Sequence, residues 1–331
     1  MTTNNYFLDN PIDKFIYPYS GSFSECYAIG LNNYYQLCNG NATNLTILTQ
    51  VLSNYNLKNI VTGDNFTIFI TNDNKTYAVG YNGHGNLGTG NTTQLNIVTE
   101  IMTDYKIQDV FIGGNFTMFL TTDGEVYACG ENNYGQLGDG TTTQRTTPVQ
   151  VMKNFKIKEI SCGDSHTIFL TENGNVFSCG RNDLGQLGTT NTTNQSIPYK
   201  IMSDYYVEKV RCTAHASYFI TNDRKLFATG YNLYGELGIG NTTKQLTPVE
   251  VMPTYNILDV QCGYEHILIH TTNDVGVYSC GRNNFNQLGF PTSTYATLTT
   301  PMLIPNTSQV TNISCGHSSS FFIIDYFFFF K

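Results

Sequence analysis

Six histidines, nine cysteines and a scatter of aspartates are the residues of this 331-residue chain that could carry chemistry. The histidines are His84, His166, His215, His266, His270 and His317. A metal site needs ligands that converge at fixed geometry, and acid–base catalysis needs groups with different roles brought together. Only His166 and His266 share a register, in stretches reading GDSHTIFLT from Gly163 and GYEHILIHT from Gly263. His215 is offset by one residue, and Phe66, Phe116 and Ser319 stand at the corresponding places. These histidines are therefore expected to hydrogen-bond backbone within their own sheet. Asp123, Asp164 and Asp223 fall at turn and loop positions, where Asp bonds nearby backbone. The odd cysteine count contains no CxxC pair, and Cys129, Cys179, Cys280, Cys162, Cys262 and Cys315 each precede a glycine. Small buried thiols act as compact apolar side chains, so core filling is expected. The sequence predicts no enzyme, no cofactor and no metal.

Composition narrows the partners. The net charge is −8, and only 17 residues are Lys or Arg, with no basic run. Nucleic-acid binding rests mainly on Lys/Arg contacts to phosphate, so direct binding to DNA or RNA is not expected. The N-terminus lacks the basic start and apolar run of a secretory signal. The longest apolar stretch, residues 320–330, is broken by Asp325 and falls short of the ~20 residues that span a bilayer. A soluble cytoplasmic or nuclear protein is the expectation.

What must position these residues is a repeat. GENNYGQLG from Gly130 is matched by GLNNYYQLC from Gly30, GYNGHGNLG from Gly80, GRNDLGQLG from Gly180, GYNLYGELG from Gly230 and GRNNFNQLG from Gly281. The spacing is about fifty residues throughout. A second motif runs in step: GDNFTIFIT from Gly63, GGNFTMFLT from Gly113, TAHASYFIT from Thr213 and GHSSSFFII from Gly316 join the two histidine stretches. Runs such as Val126–Cys129 and Thr167–Thr171 are rich in β-branched and aromatic residues, and turn signatures such as Thr122-Asp123-Gly124 separate them. Fifty residues hold about four strands with their turns. One such sheet cannot bury both faces alone, and stacking sheets around an axis does so.

The expected fold is therefore all-β: a closed β-propeller of four-stranded blades over residues 22–325, six blades favoured over seven. Residues 1–21 form an N-terminal extension and residues 326–331 an aromatic tail. The chain starts before strand 26–29 and stops after strand 321–324, which are consecutive in every internal repeat. The termini are expected to share one blade. Tyr27, Tyr77, Tyr127, Phe177, Phe227 and Tyr278, each followed by Ala or Ser, are expected close to the axis. Met102, Met152, Met202 and Met252 are expected to fill core gaps.

The two linked motifs, with the proline strands Thr147-Pro148-Val149 and Thr247-Pro248-Val249, resemble the regulator of chromosome condensation repeat family. The resemblance implies a propeller that works by binding proteins. Its founding member exchanges nucleotide on a Ran-type GTPase with an inserted β-wedge and carries a basic tail. No repeat here has a wedge-length insertion; the largest excess is about two residues after Gly281. A monomeric protein–protein interaction scaffold is the first expectation. An exchange factor for a Ran-type small GTPase and an inhibitor capping an enzyme are the alternatives.

Function should lie where the repeats differ. The fifth position of GxNxxGQLG reads Tyr34, His84, Tyr134, Leu184, Tyr234 and Phe285. These residues are expected on equivalent loops of one rim, either as an amphipathic anchor for a protein partner or packed against neighbouring loops. The tail Tyr326–Lys331 is expected to extend the last strand.

Overall fold

The computed structural model describes residues 25–272 and 276–324. The N-terminal extension and the aromatic tail lie outside the described residues. There are strands and turns here, and no helix among the described residues.

Five sheets have four antiparallel strands each, in chain order. They are β3 (Leu57–Thr62), β4 (Phe66–Thr71), β5 (Thr76–Gly80) and β6 (Leu95–Ile101); β7 (Ile107–Ile112), β8 (Phe116–Thr121), β9 (Val126–Gly130) and β10 (Arg145–Val151); β11 (Ile157–Cys162), β12 (His166–Thr171), β13 (Val176–Gly180) and β14 (Gln195–Ile201); β15 (Val207–Cys212), β16 (Ala216–Thr221), β17 (Leu226–Gly230) and β18 (Gln245–Val251); β19 (Ile257–Cys262), β20 (His266–Thr271), β21 (Val277–Arg282) and β22 (Thr297–Leu303). Within each blade the strands are called a, b, c and d in chain order. The a strands β3, β7, β11, β15 and β19 touch one another in succession, followed by β23 (Val310–Cys315). They form the inner wall.

Burial follows the order of strands. Every complete b strand is buried along its whole length, and the c strands nearly so. The d strands are half exposed and pair through a bulge, as where Ser178 faces Tyr199 and Gly180 faces Gln195. Pro148, Pro198 and Pro248 sit in d strands. Proline there keeps the outer edge from pairing with another chain.

One expectation needs correction. The Tyr/Phe–Ala/Ser pairs lie on the c strand, third from the axis. The small residue is required because the following loop folds over it: Ser178 and Ser279 donate to the carbonyls of Leu187 and Leu288. Met102, Met152, Met202 and Met252 occupy the turn after strand d with φ near +53°; Met152 belongs to a buried core cluster and the other three, partly buried, pack against the neighbouring clusters, as expected. The last two strands, β23 and β24 (Ser320–Ile324), and the first two, β1 (Cys26–Gly30) and β2 (Leu45–Val51), form separate two-stranded sheets. No ladder joins β24 to β1 among the described residues. Each half-blade is held by the complete blade beside it, β1–β2 through Val51, Leu52 and Phe69, and β23–β24 through Val310, Ile313 and Leu268.

One bond type ties blade to blade. The b-strand hydroxyls of Thr67, Thr117, Thr167, Ser217 and Ser320 donate to the carbonyls of Gln36, Asn86, Gln136, Gln186 and Gln287 in the preceding blade, at 2.7–2.8 Å. A Cβ on Gly135, at φ +82°, would collide with Ser196 of the next d strand. Glycine permits both that backbone angle and the close approach. The thiols of Cys129, Cys179 and Cys280 are buried in these junctions, as expected, and burial pushes their pKa up.

Candidate functional site

The loops between strands a and b and between strands c and d lie at the same end of each blade, because a and c run in the same direction. Short bonds hold the two loops together: the N–H groups of Tyr81, Glu131, Arg181, Tyr231 and Arg282 donate to the carbonyls of Asn65, Asn115, Ser165, His215 and Glu265. Each c–d loop is built on a buried asparagine. Asn182 accepts from the Leu187 N–H at 3.0 Å and donates to the carbonyls of Asn191 and Thr193 at 2.8 and 3.2 Å. Gln186 then accepts from the Leu184 N–H. The motif GxNxxGQLG is thus a rule for folding this loop.

At the axis, the a–b loops meet. The Tyr264 hydroxyl donates to Asp164 Oδ2 at 3.2 Å, although the two residues are 100 positions apart. His215 Nε2 lies 3.8 Å from the same oxygen. The His317 ring stacks on Tyr264 at 4.3 Å with an interplanar angle of 17°. Backbone bonds run from loop to loop, from Gly114 N–H to Asp164, Asp164 N–H to Ala214, and Tyr264 N–H to His317. Desolvation raises the Asp164 pKa, opposed by the charge of His215 and the Tyr264 hydrogen bond. Aromatic contacts carry the cluster outward: His215 to Tyr231 at 6.0 Å, and Tyr231 to Tyr234 at 6.4 Å. Arg282 lies 5.1 Å over the Tyr234 ring and pairs with Glu265 at 2.6 Å. The whole is a half-exposed surface of rings, carboxylates and hydroxyls suited to hydrogen bonding and to cations. Among the described residues, no group of three or more His, Cys, Asp or Glu side chains is placed to hold a metal.

The six fifth-position residues all fall on this end, on the six c–d loops. Tyr34, His84, Tyr134, Leu184 and Tyr234 are half-buried; Phe285 alone is exposed, at 69%. Tyr34 packs edge-on to Tyr81 at 5.4 Å, Tyr81 meets His84 at 6.0 Å, and Arg181 lies 5.5 Å over Tyr134. Four of the six therefore touch a second-position residue of a loop motif.

The axial cluster was not foreseen. The sequence reads Asp164 as a loop residue that bonds nearby backbone, and His215 and His317 as standing out of register with His166 and His266. The a–b loops converge on one point, so unequal registers still meet. The variation at the second position, Leu31, Tyr81, Glu131, Arg181, Tyr231 and Arg282, was the available signal for the surrounding ring. His166 also differs from expectation. Its Nε2 lies 2.9 Å from Ser217 Oγ in the next blade, and His266 Nε2 lies 3.2 Å from Ser320 Oγ. These imidazoles join blades through side chains.

A stack of like β-sheets, with its variable loops gathered at one end around the axis, defines a propeller-type repeat protein with a loop-built face. The chain belongs to the RCC1-like domain family, whose model matches residues 26–326. No curated protein sequence matches it. Among solved structures it is similar to human WBSCR16, at 19% identity, a TM-score of 0.77, and coverage of 91% of this chain and 82% of that one. Yeast RCC1 (Prp20) bound to Kap60 is similar at 20% identity and a TM-score of 0.77, covering 90% of this chain and 76% of that one. Prp20p from Saccharomyces cerevisiae, described for its binding to Gsp1p and histones, gives 20% identity, a TM-score of 0.76 and coverage of 90% and 78%. At these identities the likeness is one of fold.

Proposed function

We propose that this protein is an interaction regulator of the RCC1-like type and that it takes a protein partner on the end where the a–b and c–d loops meet. The observation that carries this reading is the bond from Tyr264 to Asp164. It links loops of two blades that are not consecutive and makes the loop ends one continuous polar and aromatic surface. Surfaces of this kind, with half-buried Tyr and Arg anchors, supply most of the binding energy in protein interfaces. The opposite end carries the b–c turns and the turns after strand d, rich in exposed Asp, Lys and Asn.

The test is affinity capture from the native cell with three baits: the parent, Tyr264→Ala combined with Tyr231→Ala, and Lys156→Ala as an opposite-end control. Loss of the same partner with the first variant and its retention with the second supports the reading. Equal capture by all three overturns it.

The likeness to Prp20p, described as binding Gsp1p, favours a second reading: exchange of nucleotide on a Ran-type small GTPase. No c–d loop carries a wedge-length insertion: Gly281 pairs with Leu298, a span two residues longer than that from Gly230 to Gln245, and this near-uniformity favours the scaffold reading over the exchange reading. Accelerated release of fluorescent GDP from such a GTPase would reverse that order.

A further inference from the structure

Three d strands carry a threonine directly before a proline: Thr147-Pro148, Thr247-Pro248 and Thr300-Pro301. All three threonines are exposed, on the outermost strand of their blade. Each also stands where the strand leaves its ladder. Arg145 faces Gly130 and Val149 faces Ala128, so residues 146–148 lie opposite Cys129 alone. The chain there is extended and looped out, which leaves the threonine hydroxyl open to an enzyme from the rim.

Thr147 differs from the other two in what stands beside it. Arg145 lies two residues away, roughly 7 Å along an extended strand; the strands of Thr247 and Thr300 hold no arginine. The preceding blade borders Thr147 with residues 89–93, Thr-Gly-Asn-Thr-Thr, which supply no charge. Arg145 is already engaged, with its Nε donating to Asp139 Oδ2 at 2.6 Å and its Nη2 to Thr141 Oγ1 at 3.3 Å. Asp139 in turn organises the 131–144 loop. Its Oδ1 accepts from Asn132 Nδ2 at 3.1 Å, from the Thr141 N–H at 2.9 Å and from Thr141 Oγ1 at 2.8 Å, and its side chain is 6% exposed. This ion pair departs from the repeat: Thr89 and Leu95, Thr189 and Gln195, and Ile239 and Gln245 hold the two places in other loops.

We propose that Thr147 is a phosphorylation site for a proline-directed protein kinase, and that its phosphate switches the 131–144 loop by drawing Arg145 off Asp139. In the transfer the Thr147 hydroxyl oxygen bonds the γ-phosphorus of ATP, the bond to the bridging β–γ oxygen breaks, ADP leaves, and the hydroxyl proton passes to the kinase base. The phosphate brings about −1.5 to −2 charges and takes a guanidinium through two parallel bonds. A carboxylate of single charge competes poorly with it. Asp139 then becomes a buried carboxylate without its cation, which destabilises the loop that it organises. That this loop, with Tyr134 in it, belongs to a partner-binding end rests on the function proposed above; the modification and its local effect do not.

The full chain is incubated with ATP and a purified kinase of the cyclin-dependent or mitogen-activated class, and its phosphopeptides are mapped by mass spectrometry. Phosphate on Thr147 of the parent, and its loss from Thr147→Ala, support the site. No incorporation into folded protein, or equal incorporation into Thr147→Ala, overturns it. Hydrogen exchange on phosphorylated, unmodified and Arg145→Gln protein reads the switch at the amides of Leu137, Thr141 and Thr143, all bonded within the loop. They should exchange roughly tenfold faster after phosphorylation, the effect of weakening a hydrogen bond to a charged group, and about as fast in Arg145→Gln without phosphate. Unchanged protection in the phosphorylated protein, or a further tenfold gain on phosphorylating Arg145→Gln, overturns the switch. Neither readout uses a partner, so both results stand apart from the capture experiment on the loop-bearing end.

Discussion

The Tyr218 hydroxyl donates a 2.9 Å hydrogen bond to the backbone carbonyl of Glu236. At the other junctions the equivalent carbonyl receives a Thr or Ser hydroxyl from the following blade, but here the following blade has Ile267. Tyr218 stands where other b strands carry Ile, Met, Leu or Phe and reaches the same carbonyl from within its own blade. One departure from the repeat offsets the other.

Tyr218→Phe should therefore cost about 1–3 kcal/mol, the usual effect of leaving a buried acceptor without its main donor. The Cys280 thiol at 3.6 Å is too weak a donor to make good the loss. Ile267→Thr, neutral or harmful alone, should recover part of the stability in the Tyr218→Phe background. Urea midpoints of the parent, both single variants and the double variant measure this. A double variant no more stable than Tyr218→Phe would dismiss the compensation.

Glu236 is itself a departure, since Gln36, Gln136, Gln186 and Gln287 hold this place in four other loops. It is 1% exposed, and burial lifts its pKa from 4.5 to about 7. The folded protein thus holds a proton that the unfolded chain releases between about pH 4.5 and 7. Stability attached to this group is full at the acid end of that window and falls as pH rises. Glu236→Gln should stabilise the protein by roughly 2–3 kcal/mol at pH 8, with the gain vanishing near pH 4.5. Thermal melts at the two pH values test the sign.

His166 and His266 act in the opposite sense. Ser217 Oγ donates to Gln186 and Ser320 Oγ donates to Gln287, so each hydroxyl accepts from the imidazole Nε2–H. That leaves both buried Nδ1 atoms without a partner. Burial lowers the pKa of His166 to about 3 and of His266 to about 4. Unfolding takes up protons on both from about pH 6.5 downward, and each can remove up to about 1.4 kcal/mol per pH unit. His166→Phe, the residue found at 66 and 116, should flatten the acid side of the stability curve. Imidazole NMR signals from both residues should show no titration above pH 5.

The loop asparagines should be among the most sensitive polar positions. Asn132→Leu removes the acceptor for the Leu137 N–H and the donor to the Thr141 and Thr143 carbonyls, for a loss of about 2–4 kcal/mol. The exposed neighbour Asn133→Ala should change stability by less than about 0.5 kcal/mol. Chemical denaturation of the two variants side by side provides the comparison.

Much of the fold was legible because its determinants are local and repeated. Glycines at required backbone angles, alternating strands and turn dipeptides recur at nearly constant spacing, and the structure forms strands at those places. The axial cluster was illegible because Asp164, His215, Tyr264 and His317 meet only after the sheets are stacked radially. Periodicity fixes which positions are equivalent, but not that different registers of neighbouring loops point at one centre. The inner strand was misjudged for a related reason: small side chains signal a crowded place without saying what crowds it. Here the crowding comes from the overlying loop, as the Ser178 and Leu187 bond makes plain.

The hydroxyl-to-carbonyl contacts between blades all point the same way, from a strand back to the loop of the preceding blade. A lesion in one loop should consequently be felt first by its downstream neighbour, and less by the blade before it. Dependence in this molecule has a direction, like overlapping roof tiles, and the order of the chain sets which tile lies under which.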